Sequence, residues 1–279
     1  LSAVTVRDLR KSYGDHEALR GITFTIGAGE VFGLLGPNGA GKTTTVEILE
    51  GYRRQDSGSV EVLGVDPQKS SSAWRERIGV MLQSSSLYPA LTVRESLGVF
   101  AGYYTAPRDP EEVIGIVGLA EKRDARVRTL SGGQKRRLDL GLALVGDPEL
   151  IFLDEPTTGF DPGARRSAWD TIRALRELGK TILLTTHYLD EAEQLADRVA
   201  VLRDGEIIRE GSPAELTGGI VETEIHYLRG EEAIVERMVD PTRRLHELTA
   251  EALARGEELA GLEVRRPTLE DVYLELTGE

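Results

Sequence analysis

Gly36-Pro37-Asn38-Gly39-Ala40-Gly41-Lys42-Thr43 reads G-x-x-x-x-G-K-T, and the rest of the 279-residue chain is organised around it. An apolar run, Val31-Phe32-Gly33-Leu34-Leu35, precedes it, and a helix-compatible run from Thr44 through Glu50 follows and stops at Gly51. Strand, glycine loop and helix is the context this motif requires. The glycines let the backbone curl until several N–H groups point inward at a polyphosphate, while the opening helix adds the positive end of its dipole. Gly36, Pro37, Asn38, Gly39, Ala40, Gly41 and Thr44 are then the wall of a phosphate cradle. Lys42 reaches the β- and γ-phosphates, and the Thr43 hydroxyl holds Mg²⁺. A glycine-rich turn that merely contains Lys is the bland alternative, which the flanking strand and helix disfavour. The motif predicts that a nucleoside triphosphate binds here.

Working outward, Lys+Arg 34 against Asp+Glu 47 gives a formal charge of -13, which argues against a nucleic-acid-coating surface. The sequence has Cys 0, so disulfides, thiol catalysis and thiolate metal sites are excluded, as suits a reducing cytoplasm. No uninterrupted apolar stretch approaches the ~18 residues of a membrane span, and Leu1 to Val6 is followed by Arg7 and Asp8, unlike a signal peptide.

Upstream of the loop, Val4-Thr5-Val6 and Gly21 to Ile26 alternate around an interruption at Tyr13-Gly14, which predicts β-hairpin material. Downstream, Gly58 to Gly64 reads as a strand, and Ile78 to Gln83 as a buried strand ending on a polar amide. Gln83 alone is an ordinary strand-end residue, and Tyr13 alone is a packing aromatic. From Ser84 to Thr129 the pattern turns to helices and loops: Thr92-Val93-Arg94-Glu95 has capping-box spacing, and Pro110 opens another helix. Glu121-Lys122-Arg123-Asp124 imitates the guanine-reading N-K-x-D pattern, but lacks its Asn and follows no strand.

Leu130-Ser131-Gly132-Gly133-Gln134 then opens a periodic apolar helix with Ser131 as N-cap, a second anion-binding helix start, although S-G-G also begins ordinary helices. Leu150-Ile151-Phe152-Leu153-Asp154-Glu155 is a buried strand ending in two acids, which strand alternation would turn in different directions. Asp154 suits the outer shell of Mg²⁺, and Glu155 the attacking water, as general base. Asp161 and Pro162 have N-cap and first-turn character for the next helix. Thr181 to Thr186 is another buried strand, and it ends at His187, where a γ-phosphate contact is credible. Asp190, Glu191 and Glu193 read as a solvated face.

The order G-x-x-x-x-G-K-T, strand-end Gln83, L-S-G-G-Q, apolar-D-E-P-T and T-T-H resembles the ATP-binding subunit of an ABC transporter, over residues 4 to about 217. The resemblance implies an α/β fold: a P-loop NTPase core with an antiparallel β subdomain, a helical subdomain inserted at about 84–147, and a small C-terminal accessory domain. Its boundaries are 1–217 for the cassette and 218–279 for the accessory domain. It further implies a head-to-tail dimer with a second copy, each ATP lying between the phosphate loop of one copy and Ser131-Gly132-Gly133-Gln134 of the other. By the same carry-over Tyr13 is the adenine-stacking aromatic, Gln83 links Mg²⁺ to the helical subdomain, Asp161 is the acid at the dimer seam, and His187 senses the γ-phosphate. Catalysis is then assigned to Glu155, His187, Lys42 and Gln83, and the metal to Thr43, Gln83 and Asp154.

Beyond the cassette, Asp204-Gly205 between Asp197–Leu202 and Glu206–Arg209 signals a hairpin, Ser212-Pro213-Ala214-Glu215 a capped helix, and Thr217-Gly218-Gly219 a hinge. The tail predicts a strand near Val221–Tyr227, helices near Ala233–Met238 and Arg243–Arg255, a short strand at Leu262–Val264 and a helix from Thr268. Arg243 and Arg244 read as a solvated face, and His226 and His246 have no metal spacing. Arg266 to Leu274 resembles the ending of multidrug and antibiotic exporters of the daunorubicin-resistance type. That implies an ATP-driven subunit at the cytoplasmic face of the membrane, exporting a hydrophobic small molecule through a separate integral-membrane permease docked near Gln83 and Ser84–Tyr104, with no nucleic-acid partner. Three alternatives stand beside it: another cargo such as polysaccharide, lipid, sodium or haem; a non-transport ABC protein of translation or DNA repair, disfavoured by the single phosphate loop; and a regulatory module without hydrolysis, disfavoured by Glu155 and His187.

Overall fold

Two long alternating strands open the chain, β1 (Ser2–Tyr13) and β2 (His16–Gly27), and pair antiparallel through Val4↔Ile26 and Val6↔Phe24. After β3 (Val31–Leu35) and α1 (Lys42–Leu49), β4 (Ser57–Val62) returns to the other edge of β1, completing the order β2-β1-β4. Next come α2 (Ser72–Arg75), β5 (Ile78–Met81), α3 (Val93–Ala101), α4 (Pro110–Ile116) and α5 (Gly132–Leu144). The chain then alternates β6 (Leu150–Asp154), α6 (Pro162–Glu177), β7 (Thr181–Thr186), α7 (Leu189–Leu195), β8 (Arg198–Arg203) and β9 (Glu206–Gly211). This computed structural model describes residues 1–81, 87–217, 223–229, 232–256, 258–265, 268–271 and 273. Gln83, Ser84, the expected hinge glycines 218 and 219, and Arg266, Pro267, Val272 and Leu274 of the tail motif lie outside the described residues.

Continuous apolar runs cannot alternate between core and water, so β3, β6 and β7 are buried on both faces. They form the centre of a sheet ordered β5-β6-β7-β3-β8-β9, parallel from β5 through β8. Successive side chains serve opposite cores. Phe32, Leu34, Leu150, Phe152 and Leu183 pack with the antiparallel sheet and α1, while Ile151, Leu153, Ile182 and Leu184 pack under α3, α4 and α5. The helical insertion thus shares its core with one face of the sheet, and the antiparallel subdomain with the other. The Asp204-Gly205 hairpin is present, with both residues at positive φ, 49° and 79°, as a type I′ turn requires. Thr92 with Glu95, Ser131 with Gln134, and Ser212 with Glu215 each form the reciprocal capping box that fixes where a helix begins.

Parallel pairing brings the ends of the three central strands to one edge. Leu35 lies opposite Thr186, and Asp154 opposite Thr185. The next residues of the three strands are Gly36, Glu155 and His187, so topology alone gathers the loop, the acids and the histidine where such sheets bind ligands.

The chain divides into two compact units, Leu1–Glu210 and Gly211–Glu279. The second contains α8 (Pro213–Leu216), β10 (Thr223–Arg229), β11 (Glu232–Met238), α9 (Pro241–Arg255) and β12 (Glu263–Arg265), with strand order β11-β10-β12. Two expectations are corrected here. Ala233–Met238 is a strand, not a helix: its helix-favouring Ala, Glu, Arg and Met are overridden by register with β10, where Tyr227 faces Ile234 and Thr223 faces Met238. Ile234 and Met238 thereby reach the small core of Ile225, Tyr227 and Leu248. Arg244 is not simply solvated, because its guanidinium forks onto Glu236 at 2.6 and 2.7 Å and holds that carboxyl down to about 2. Arg243 is exposed. Among the described residues no helix is long and apolar enough to cross a membrane.

Candidate active site

The phosphate loop leaves β3 with two glycines that nothing else could replace without movement. Gly41 holds φ at 109°, a conformation L side chains rarely adopt, and a Cβ at Gly36 would stand 2.3 Å from the carbonyl oxygen of Leu202. Gly41 is also the N-cap of α1 and offers no capping side chain, so the first-turn N–H groups stay available as anion donors. The Lys42 ammonium is 5% exposed and donates to the carbonyls of Gly36 at 2.6 Å and Pro37 at 3.1 Å, bracing the loop from within. Gly36→Ala is expected to destabilise the protein by about 1–3 kcal/mol, because the new methyl must displace the backbone of β8. Urea unfolding of the variant checks this, and an unchanged midpoint would refute the close approach.

Opposite the loop, Glu155 sits one residue beyond the end of β6 with φ at 47°. Its direction is therefore set by this left-handed turn and not by strand alternation, which corrects the reason expected for the divergence of the two acids. The Glu155 N–H donates to the carbonyl and hydroxyl of Thr185, 3.1 Å each. One carboxylate oxygen lies 3.9 Å from Lys42 Nζ and 3.3 Å from His187 Nδ1, and the other accepts from Thr158 at 3.2 Å. Asp154 accepts from the Thr185 hydroxyl. Burial pushes the Asp154 carboxyl up from its ordinary value, a shift opposed by the Thr185 hydroxyl and reinforced by Glu155. Burial likewise pushes the Lys42 ammonium down, opposed by Glu155 and Asp154. The pocket thus concentrates opposite charges where water screens them poorly.

The other expected residues occupy distinct places. The Tyr13 hydroxyl lies 3.5 Å from the Thr44 hydroxyl, and the guanidinium of Arg53 is 5.1 Å from its ring, which puts a half-open aromatic beside the first turn of α1. Asp161 is the N-cap of α6, accepting from the Ala164 N–H at 2.9 Å. Ser131 and Gln134 bond to each other within their capping box, while Ser131 and Gly132 are exposed at the start of α5. Gln83 lies outside the described residues.

Two residues near the site were not given these positions by the sequence. Arg136, on α5, donates to the carbonyls of Asp154 at 2.9 Å, Glu155 at 3.0 Å and Pro156 at 3.3 Å, clamping the acidic turn to the helix that follows L-S-G-G-Q. Only its position two residues past Gln134 in a basic run hinted at this. Glu191, expected on a solvated face, is fully buried, with Trp169 Nε1 donating to it at 3.2 Å.

A divalent ion finds few protein ligands here: among the described residues no group of three His, Cys, Asp or Glu could hold a metal. Mg²⁺ keeps several waters and relies on one or two carboxylates plus substrate phosphates. Thr43, exposed at the start of α1, and Asp154 at the strand edge are its available oxygens.

A glycine loop closing on a buried lysine, with acids and a histidine at the ends of neighbouring parallel strands, defines a P-loop nucleoside-triphosphate hydrolase. The ABC transporter family model matches residues 19–158. The Nod factor export ATP-binding protein I of Rhizobium etli is 41% identical over 297 residues, covering 100% of this chain and 94% of that protein. The daunorubicin resistance ATP-binding protein DrrA3 of Streptomyces coeruleorubidus is 41% identical over 307 residues, covering 100% and 96%. A solved dimeric post-hydrolysis state of the ATP-binding cassette MJ0796, bound to ADP and Pi, matches with TM-score 0.68 at 26% identity, over 75% of this chain and 98% of that one. The chain belongs to the ABC transporter family, as a nucleotide-binding, ATP-hydrolysing subunit.

Proposed function

We propose that this chain is the ATPase motor of an exporter, working at the cytoplasmic membrane face on a separate permease that carries a drug, antibiotic or other hydrophobic compound. The observation that carries the export reading is identity extending through the C-terminal unit, since relatives named for Nod factor export and daunorubicin resistance align over 100% of the chain. The Nod factor name keeps a cargo other than a drug as the second reading.

In the proposed reaction, Lys42 and the N–H groups of the loop hold the β- and γ-phosphates. Thr43 and Asp154, with Gln83, would hold Mg²⁺, which would supply charge neutralisation at the phosphates. Glu155, oriented with Thr158, takes the proton of the attacking water as its oxygen bonds the γ-phosphorus and the bond from that phosphorus to the β–γ bridging oxygen breaks, leaving ADP and phosphate, and His187 meets the γ-phosphate from the neighbouring strand end. Tyr13 stacks on the adenine. Ser131, Gly132, Gly133 and Gln134 close on the nucleotide of a second copy in a head-to-tail dimer, with Asp161 at the seam. The dimeric MJ0796 cassette supports that assembly.

The test is to purify tagged Glu155→Gln from native membranes with Mg-ATP and identify what accompanies it. A polytopic permease is expected, and it should be absent when Lys42→Ala is used instead. Recovery of ribosomes or DNA-repair proteins, or of a dimer with no membrane partner, would overturn the exporter reading.

A further inference from the structure

Glu191 is a charged residue with no exposed surface, and the steps above do not use it. It lies in the first turn of α7, four residues after His187, between elements that carry the two halves of the site. Its Oε1 accepts from the indole N–H of Trp169 on α6 at 3.2 Å. The carboxyl also faces two hydroxyls, those of Thr186 and Thr157. Thr157 follows Glu155 by two residues and is fully buried, whereas Thr186 immediately precedes His187 and is 1% exposed. The Thr186 hydroxyl also accepts from the Tyr188 N–H at 2.9 Å, so it pins the backbone on both sides of the histidine.

The balance of donors around this carboxyl is uneven. Glu191 Oε2 and Thr157 Oγ1 are both sealed from water, and neither completes a hydrogen bond of full geometry with any described group. Two buried polar atoms in this condition are costly unless they serve each other. Burial pushes the Glu191 carboxyl up from its ordinary value, against the pull of Thr186, Thr157 and Trp169. With Trp169 donating to Oε1, Oε2 is the oxygen left to accept from the Thr157 hydroxyl, a pairing that serves both atoms.

We infer that Glu191 is a positioning residue: its carboxyl ties the turn after Glu155, through Thr157, to the turn before His187, through Thr186, and thereby sets the approach of these two side chains. The separation at stake is the 3.3 Å between His187 Nδ1 and the Glu155 carboxylate. Thr185 ties the Glu155 backbone to β7 directly, and Glu191 ties together the turns that follow the two strands. The inference rests on the proposed roles of Glu155 and His187.

Steady-state ATP hydrolysis by the full chain tests it, with kcat and KM for Mg-ATP measured separately and thermal unfolding as the control for folding. Glu191→Ala is expected to lower kcat by about 10-fold or more, because a displacement of order 1 Å at reacting groups has effects of this size. KM should change little, since the phosphate loop is untouched. Glu191→Gln, whose amide can accept from Trp169 and donate to Thr157, should recover most of kcat. Thr157→Val, of equal volume, should reproduce part of the loss, and it carries the test where Glu191→Ala does not fold. A folded Glu191→Ala with wild-type kcat, a Glu191→Gln no better than Glu191→Ala, or a Thr157→Val with wild-type kcat would each overturn the inference. Glu155→Gln run in parallel separates the two levels. If it turns over normally, the reading of Glu155 fails and takes this one with it; if it is inactive while Glu191→Ala is normal, only the positioning role is lost.

Discussion

Replacing Glu155 by Gln is expected to reduce ATP turnover by about 10²–10⁴-fold, the range that a positioned general base contributes, while ATP affinity stays close to wild type. The substitution preserves shape, and Thr158 can still bond the amide oxygen as it bonds the carboxylate at 3.2 Å. What it removes is the ability to accept a proton from water. It also removes a negative charge whose oxygen stands 3.9 Å from Lys42 Nζ, and that charge opposes an incoming triphosphate more than it helps one. Binding and closure should therefore survive while the chemical step stalls, and closed dimer should accumulate in Mg-ATP. Phosphate release measured beside nucleotide titration and size-exclusion chromatography decides it. Normal turnover would remove Glu155 from the role of base, and weak binding would place it in the cradle instead.

Much of this site was legible in the sequence because its parts are tied to strand ends, and strand ends are marked by changes from apolar to polar residues. Leu153-Asp154 and Leu184-Thr185 show such a change, Leu35 gives way to the glycine loop, and a parallel sheet with short crossovers leaves little choice about where those ends meet. The helical insertion was equally readable from Thr92 and Ser131, whose capping boxes fix helix starts locally. What failed to show were properties decided by the third dimension. The Arg136 guanidinium binds three carbonyls across to the turn after β6, and nothing in Lys135-Arg136-Arg137 says which of three basic residues faces inward. Glu191 sits beside exposed Asp190 and Glu193 in an acidic stretch, so composition suggested water, yet the packing of α7 against α6 turns it inward to Trp169. The backbone of Glu155 is left-handed, a state that favours Gly, Asn or Asp, so no residue-type signal announced it. In the second unit, β11 is built from helix-favouring residues, and pairing with β10 overrides that local propensity.

Lys42→Ala is expected to act on the other half of the cycle, weakening ATP binding by about 10–100-fold. That corresponds to the 1.5–3 kcal/mol usual for hydrogen bonds to charged groups. Lys42 is nearly sealed from water, and its ammonium holds the loop's own carbonyls of Gly36 and Pro37 at 2.6 and 3.1 Å. An alanine therefore removes the charge that meets the phosphates and also the brace that keeps the loop curled around them. A third consequence follows from Asp154 and Glu155. The Lys42 charge now lowers the proton affinity of the buried Asp154, and without it that carboxyl, already raised by burial, moves further up. Loss of a neighbouring positive charge leaves the acidic strand ends more attractive to a divalent ion, so the loss of nucleotide affinity should be smaller when titrated with Mg-ATP than with ATP in the presence of a chelator. Isothermal titration under both conditions measures this difference. Equal losses would confine Lys42 to the phosphates, and unchanged affinity would remove it from the nucleotide site. Together the two expected outcomes would divide the labour along one side of the sheet, with Lys42 holding the charge that ATP brings and Glu155 taking the proton that water gives up.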